Sequence, residues 1–467
     1  MRLAVCALAA TLVLAGCGGS GEDEQSLRQQ TTSQAAYRFP DAPAVIGAAL
    51  APKVDDALAD LLRGAVAGVL DSEALNVVAG AKDPRLGWLV SDFLRFYQGT
   101  AEEEQLVSAF RRLTGVDVSR DPSFDRGSWL SVTDHLIAWD LPAPPRYRER
   151  KAELFLAVEP GWKPFFDDVD SDIDWRLVSW GGVLIDDREA GGRNSCPRGC
   201  IPALDDPELT DADRGDWYSD DSFVFGVVVG GEAVAFPRNI MEVHELVNVT
   251  IGGRRLGIPY CTLCRSAQAY FLDSVPEGVT PPILRTSGLL SRSNKVMYDL
   301  RSRSAIDTFT GRALSGPLQD AGVVLRQATV VVSTWGDWKE AHPGTKIVAE
   351  DGGIGREYAK DPLRGRDDNG PIFPVGDVDP RLPVQAEVVG VVTPGGSPVA
   401  FAVEPAKAAL EQGKQVTAAG VEVVADGGGL RVRVRGGREL PAHQALWFAW
   451  SQFHPGTELW TMPASGS

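Results

Sequence analysis

Cys261-Thr-Leu-Cys264 is the stretch of this chain best suited to do chemistry. Two thiols at that spacing can cycle between dithiol and disulfide, supply half of a tetrahedral metal site, or close a plain structural crosslink. Redox use needs a thiolate at the working pH, hence a thiol pKa below the free value of ~8.5, and Arg265 is an adjacent cation. Upstream, His244-Glu245 supplies a candidate partner. His244 could exchange a proton with a thiol. Alternatively it joins Cys261 and Cys264 as a third ligand for zinc or copper, leaving one coordination position open. A histidine with satisfied nitrogens in a core is the plain alternative. His244-Glu-Leu-Val-Asn248 is not a zincin signature, because Asn248 stands where the second histidine belongs. The expected catalytic set is therefore Cys261, Cys264, His244 and Glu245. The metal alternative uses Cys261, Cys264 and His244, with zinc or copper as its cofactor.

A second pair, Cys196-Pro-Arg-Gly-Cys200, sits in a loop rich in Gly, Asn and Pro. A local disulfide between Cys196 and Cys200 is expected there. The sharper alternative places all four cysteines on one zinc ion. His135, His342, His443 and His454 read as structural, and Trp335, Trp338, Trp447 and Trp450 as core. The chain contains no P-loop, no dinucleotide-binding glycine fingerprint and no Gly-x-Ser-x-Gly elbow.

The compartment bears on these thiols. Met1-Arg2, an apolar run from Leu3 to Ala15, and then Gly16-Cys17 describe a signal peptide over residues 1–16. Leu14-Ala-Gly-Cys17 resembles the lipobox of bacterial lipoproteins, which implies lipidation of Cys17 and a membrane partner through that lipid. Residues 17–42 then form a flexible tether with little to bury. The expectation is an exported lipoprotein of the cell or outer membrane, facing periplasm or exterior. A net charge of -17 argues against nucleic acid as a partner. It names no protein partner.

The elements that must position the cysteines fall into an α+β pattern. Over residues 43–145 the periodicity is helical: Val54, Leu58, Leu61 and Leu62 share one face. A second helix opens at Asp83-Pro84 and runs through Leu89, Phe93 and Phe96. A third begins at Glu102-Glu-Glu104 and carries Leu106, Phe110 and Leu113. Trp129 to Trp139 and Pro142-Ala-Pro-Pro145 read as a docking edge and a linker. From about Leu177 the period shortens to two, which predicts a mainly β body: a first half over 146–370 carrying the Cys-x-x-Cys, and a second over 371–467. Val224-Phe-Gly-Val-Val-Val-Gly-Gly-Glu-Ala-Val-Ala-Phe236 is echoed by Val388-Val-Gly-Val-Val-Thr-Pro-Gly-Gly-Ser-Pro-Val-Ala-Phe401. Each predicts strand, Gly-Gly hairpin, strand and helix start, hence an internally duplicated strand-hairpin-helix unit.

Several runs together resemble one bacterial and archaeal family, domain of unknown function 3179, over about residues 145–460. They are Asp186-Asp187, Ile201-Pro-Ala-Leu-Asp-Asp-Pro207, His244-Glu-Leu-Val-Asn248, Tyr260-Cys-Thr-Leu-Cys264 and Ser287-Gly-Leu-Leu290 with Asn294 and Met297-Tyr-Asp299. Thr334-Trp-Gly-Asp-Trp338 with His342-Pro343, Phe373-Pro374, and Trp447-Phe-Ala-Trp450 complete the set. The resemblance implies no defined activity. Some relatives are described as selenoproteins, which favours redox chemistry at the Cys-x-x-Cys. Relatives tend to read Cys-Pro-Leu-Cys-Gly, where this chain has Thr262 and Arg265. They usually carry Arg, Trp and Gln where it has Leu300, Ile306 and Thr308.

Overall fold

Val54, Ala57, Leu58, Leu61, Leu62 and Ala65 recur at helical spacing and wind into one buried stripe of α1 (Pro52–Val66), with proline in its first turn where a missing N–H costs nothing. The protein is described by a computed structural model over residues 37–462, apart from 46, 48, 193–195 and 366–369. The signal peptide, Cys17 and most of the tether lie outside the described residues. Five further helices follow: α2 (Ser72–Gly80), α3 (Gly87–Tyr97), α4 (Glu103–Thr114), α5 (Ser128–Trp139) and α6 (Tyr147–Val158). Asp71 caps α2 by accepting the N–H groups of Glu73 and Ala74 at 3.0 Å each. α5 stands where the sequence suggested a docking edge. Every residue from Ser128 to Leu136 is buried, so the helix is covered all round and shows no one-sided stripe.

Pro142-Ala-Pro-Pro145 turns the chain into α6 instead of ending the helical region. α6 is tied back by a buried Lys151–Asp92 ion pair at 2.7 Å and by Tyr147 donating to Asp92 at 2.8 Å. This unit runs on to Pro160 and takes in Ile372–Pro383, where Asp134 accepts the N–H groups of Val375 and Gly376 at 2.6 and 2.7 Å. Among the described residues no helix is long and apolar enough to cross a membrane.

The second unit, Gly161–Pro371 with the chain from Val384, holds five sheets. The chain is thus α+β. In one sheet the order is Val331–Thr334, Phe223–Val229, Glu232–Pro237, Lys346–Val348 and Leu209–Asp211. In another it is Ala442–Leu446, Glu387–Val392, Pro398–Ala402 and Glu458–Trp460. Each centres on an antiparallel hairpin, and each takes its fourth strand in parallel. A further sheet holds Leu246–Ile251, Arg254–Cys261, Ala269–Phe271 and Arg326–Ala328, with Leu204–Asp205 in parallel at its edge, and a four-stranded one holds Val416–Ala418, Val421–Asp426, Gly429–Val434 and Glu439–Leu440. Between Ala269–Phe271 and Arg326–Ala328 the chain carries Leu284–Ser291, Asn294–Asp299 and Ala305–Asp307, which join Val178–Trp180 in a fifth sheet.

Matching side chains fill the two hairpin sheets. Trp338 donates to Thr345 at 2.9 Å and Trp450 to Thr457 at 3.0 Å; their rings lie 4.0 and 4.2 Å from His342 and His454. The rings press against Gly226 and Gly390, where any Cβ would overlap them. Gly390→Ala is expected to destabilise this unit by about 1–3 kcal/mol through overpacking. A urea unfolding midpoint unchanged by the substitution would show that Trp450 yields freely.

The sheet that carries Cys261 is covered on both faces. Leu256, Ile258 and Tyr260 pack with Phe225, Val227 and Phe236 of the hairpin sheet. The other face presents Leu246 and Tyr270 to Leu284, Met297 and Ile306 of the fifth sheet. Period-two alternation therefore sends Cys261 and Tyr260 to opposite interlayers.

Candidate functional site

Cys261 ends the Arg254–Cys261 strand; a 3-10 turn, Thr262–Cys264, reverses the chain, and Ser266 returns opposite Cys261. The reversal passes through Arg265 at φ 46°, a left-handed conformation natural to glycine. Both thiols are free and at most 1% exposed. The sulfurs are within hydrogen-bonding reach of each other, and the Ser293 carbonyl lies 3.9 Å from Cys261 and 3.4 Å from Cys264. Ser293 belongs to a two-residue hairpin turn, Arg292-Ser293, with both φ angles positive at 49° and 65°. Such a turn matches the twist of its strands but strains residues other than Gly, Asn or Asp. The strain sits where the backbone meets the dithiol.

Glu245 caps the Arg238–His244 helix at φ 49°. Its carboxylate takes a 3.0 Å ion pair from Lys295 and accepts from Thr262 at 3.1 Å, while Lys295 also donates to the Glu245 carbonyl at 2.7 Å. This links the turn, the helix end and the hairpin around the thiols. Burial and, less strongly, the nearby Glu245 charge oppose a thiolate at Cys261. Hydrogen bonds from the Cys264 thiol and from the Lys295 and Cys264 backbone N–H groups outweigh them, so the Cys261 pKa falls below the ordinary thiol value. Burial pushes Cys264 well up, and its hydrogen bond to Cys261 adds to the rise. Cys261 is thus the more acidic thiol of the pair and Cys264 the less acidic.

Arg265 does not supply that bias. Its guanidinium is drawn to Glu387 at 3.7 Å, and Gln444 holds the same carboxylate at 2.7 Å.

His244 is not brought to the dithiol, which corrects the expected three-ligand set for zinc or copper. Its Nδ1 donates to the Pro202 carbonyl and its Nε2 accepts from the Tyr358 hydroxyl, both at 2.7 Å. Burial, aided by Arg356 and Arg188, pushes its pKa down to about 4, so the ring is neutral. With both nitrogens engaged it has no lone pair for a metal, and among the described residues Cys261, Cys264 and His244 do not form a ligand cluster. The helix ends at His244 and the backbone turns left-handed at Glu245, which sends the two side chains different ways.

His244 instead lines a cavity of about 520 Å³ with Arg188, Asp205, Arg356, Cys196 and Cys200. Cys196 and Cys200 are joined in a disulfide with Cα atoms 5.3 Å apart. Their sulfurs and an Asp186 oxygen fall close enough to suggest a metal cluster, but disulfide sulfurs carry no thiolate charge and Asp186 is already clamped by Arg188 at 2.6 Å. Beneath the cavity, fully buried Arg285 donates to Asp205 at 2.6 and 3.0 Å. Asn248 also donates to Asp205, at 2.8 Å, and pairs with the Leu284 backbone.

Sequence reasoning missed Lys295, Ser293, Ser266, Gln268 and Arg285. Asn294 beside two of them was singled out, and charged or amide residues inside strands otherwise apolar were the signal available for the rest. A family model described as "Protein of unknown function (DUF3179)" matches residues 198–438. No curated protein and no solved structure matches the chain.

Proposed function

The chain belongs to the DUF3179 family of proteins of unknown function, and on that premise we propose that it is a thiol redox protein whose working group is the Cys261–Cys264 dithiol. The observation that carries this reading is the pairing of two free, buried thiols of opposite acid strength on one turn, with Glu245 and Lys295 beside them. Oxidation removes two electrons and two protons from the pair and forms one S–S bond. Glu245 lies close enough for its charge to act on both sulfurs, and it is the candidate acceptor for the proton that Cys261 loses.

The reading includes export. Residues 1–16 support secretion and the lipobox-like Leu14-Ala-Gly-Cys17 supports a lipid anchor, which together would place the dithiol outside the cytoplasm. The repeated hairpin sheet, with Trp338 and Trp450 in matching places, supports a body built from a duplicated unit. In that reading only the first copy was modified, by the inserted Leu284–Asp307 segment, to hold a reactive pair.

Prolonged equilibration with mixtures of reduced and oxidised glutathione, carried to constant composition and followed by alkylation and mass analysis, tests the function. A two-electron couple at Cys261 and Cys264 is expected above about -300 mV, the range of labile disulfides. Cys196–Cys200 provides the internal comparison. A pair that stays reduced at every ratio in the folded protein rules out the reading.

A further inference from the structure

The interlayer around the dithiol contains polar groups that the fold leaves without partners. Gln268 is 0% exposed, and neither its amide nitrogen nor its amide oxygen has a hydrogen-bond partner. The Ser266, Ser293 and Thr308 hydroxyls are likewise buried and unpartnered. Strand register gathers them. Ser266 stands opposite Cys261, and the Gln268 N–H donates to the Pro259 carbonyl, so Ser266 and Gln268 share the Cys261 face. On the facing sheet Val296 pairs with Asp307, which sets Thr308 opposite Lys295, two residues from Ser293 in the thiol-contacting turn. An unmet buried amide is destabilising, and native proteins rarely tolerate one without a ligand, a water or a chemical use.

Size and charge restrict what could use these groups. With both sulfurs at most 1% exposed, a protein disulfide or a bulky thiol cannot approach along the S–S axis that exchange requires. Lys295 is paired with Glu245 and Arg265 with Glu387, so the lining offers hydroxyls and a carboxamide and no uncommitted cation for an anion. The groups both donate and accept. Dioxygen makes no such bonds, and a flavin or quinone exceeds the space between two packed sheets.

We propose that this interlayer admits hydrogen peroxide or a small alkyl hydroperoxide as the oxidant of the dithiol, held by Gln268, Ser266, Ser293 and Thr308. The inference rests on the redox reading above and names its substrate class. The Cys261 thiolate attacks one peroxide oxygen and the O–O bond breaks. Cys261 becomes a sulfenic acid, and the departing hydroxide or alkoxide takes up the proton that Cys261 had shed. Cys264 then attacks the Cys261 sulfur: the S–S bond forms, the S–OH bond breaks, and the Cys264 proton leaves with the hydroxyl as water. Two electrons pass from the dithiol to the peroxide in one turnover.

The test exposes the reduced full-length protein in turn to hydrogen peroxide, oxidised glutathione and an aromatic disulfide reagent. Samples are quenched over time by denaturing alkylation, and the Cys261–Cys264 peptide is weighed. Peroxide is expected to form the disulfide at least roughly tenfold faster than either bulky reagent. Gln268→Met should slow the peroxide reaction by about tenfold while leaving the unfolding midpoint unchanged or higher, because it removes an unmet polar group. A slower reaction together with a lower midpoint would mark Gln268 as structural and overturn its role. Equal rates for peroxide and glutathione disulfide would overturn the size argument. If glutathione mixtures oxidise the pair at equilibrium but peroxide does not, the inference fails and the redox reading stands. If neither does, both fail.

Discussion

Replacing Arg285 by Met is expected to destabilise the sheet-rich unit by about 3–5 kcal/mol, the range seen when one member of a buried ion pair is removed. Arg285 is fully buried and the Asp205 side chain is 6% exposed. Burial alone would raise the Asp205 pKa; the hydrogen bonds and charge of Arg285, with N–H groups from Gly191 and Asn248, reverse that and hold it below the ordinary carboxylate value. Without the guanidinium, Asp205 must either stay charged in a poor solvent or take up a proton. The effect should reach the dithiol. Asn248, anchored on Asp205, hydrogen-bonds Leu284, and Leu284 starts the hairpin whose turn holds Ser293 against the sulfurs. Urea unfolding measures the loss. The Arg285→Met/Asp205→Asn double variant is expected to recover part of it, since no uncompensated charge remains. A single variant as stable as the parent would mean that Asp205 is hydrated, contrary to its burial.

Acid is expected to have a comparable effect through two histidines. His244 is neutral with a pKa pushed down to about 4 by burial, and burial with the neighbouring His454 pushes His443 to about 3. His443 Nδ1 accepts from Gln327 at 2.9 Å. In the unfolded chain both titrate near 6.5. Above that value neither state binds the proton and stability is unaffected. Between 6.5 and 4 the unfolded chain binds protons that the fold refuses, so stability falls as pH falls. By pH 4 each histidine should have cost about 3 kcal/mol. Asp186 opposes the effect at His244, while Arg188 and Arg356 add to it. Unfolding free energies measured from pH 7 to pH 4.5 should slope downward, and the slope should flatten in His244→Gln/His443→Gln. An unchanged slope in that variant would assign the acid loss to His454, which burial also pushes down to about 4, to His135, which burial also lowers, or to carboxylates.

How much of this was legible depended on whether the signal was local. The stripe Val54, Leu58, Leu61, Leu62 identifies α1, because amphipathic helices carry their partner's direction in their own periodicity. α5 was not legible, because a helix buried on every side loses that direction. The echo between Val224–Phe236 and Val388–Phe401 coincides with two antiparallel hairpins of the same sheet order, since Gly-Gly turns and alternating strands are written within a dozen residues. Pro142–Pro145 misled as a linker, because prolines mark a turn without saying what lies beyond it.

The same division holds for the site. Two residues of spacing determined that Cys261 and Cys264 share one turn, since no fold can part them far. Sequence adjacency also suggested that His244 and Glu245 act together, and there tertiary structure decided otherwise. A left-handed residue at the helix end sends Glu245 toward Lys295 and the thiols, and His244 toward Pro202 and Tyr358. The partners that set the acidity of the thiols, the Cys264 thiol and the Lys295 N–H, act through burial and strand register. So do the unmet groups of Gln268, Ser266, Ser293 and Thr308. The chain by itself determined which atoms could react. Only the packing of one sheet between two others decided their charge state, their neighbours and the size of what can reach them.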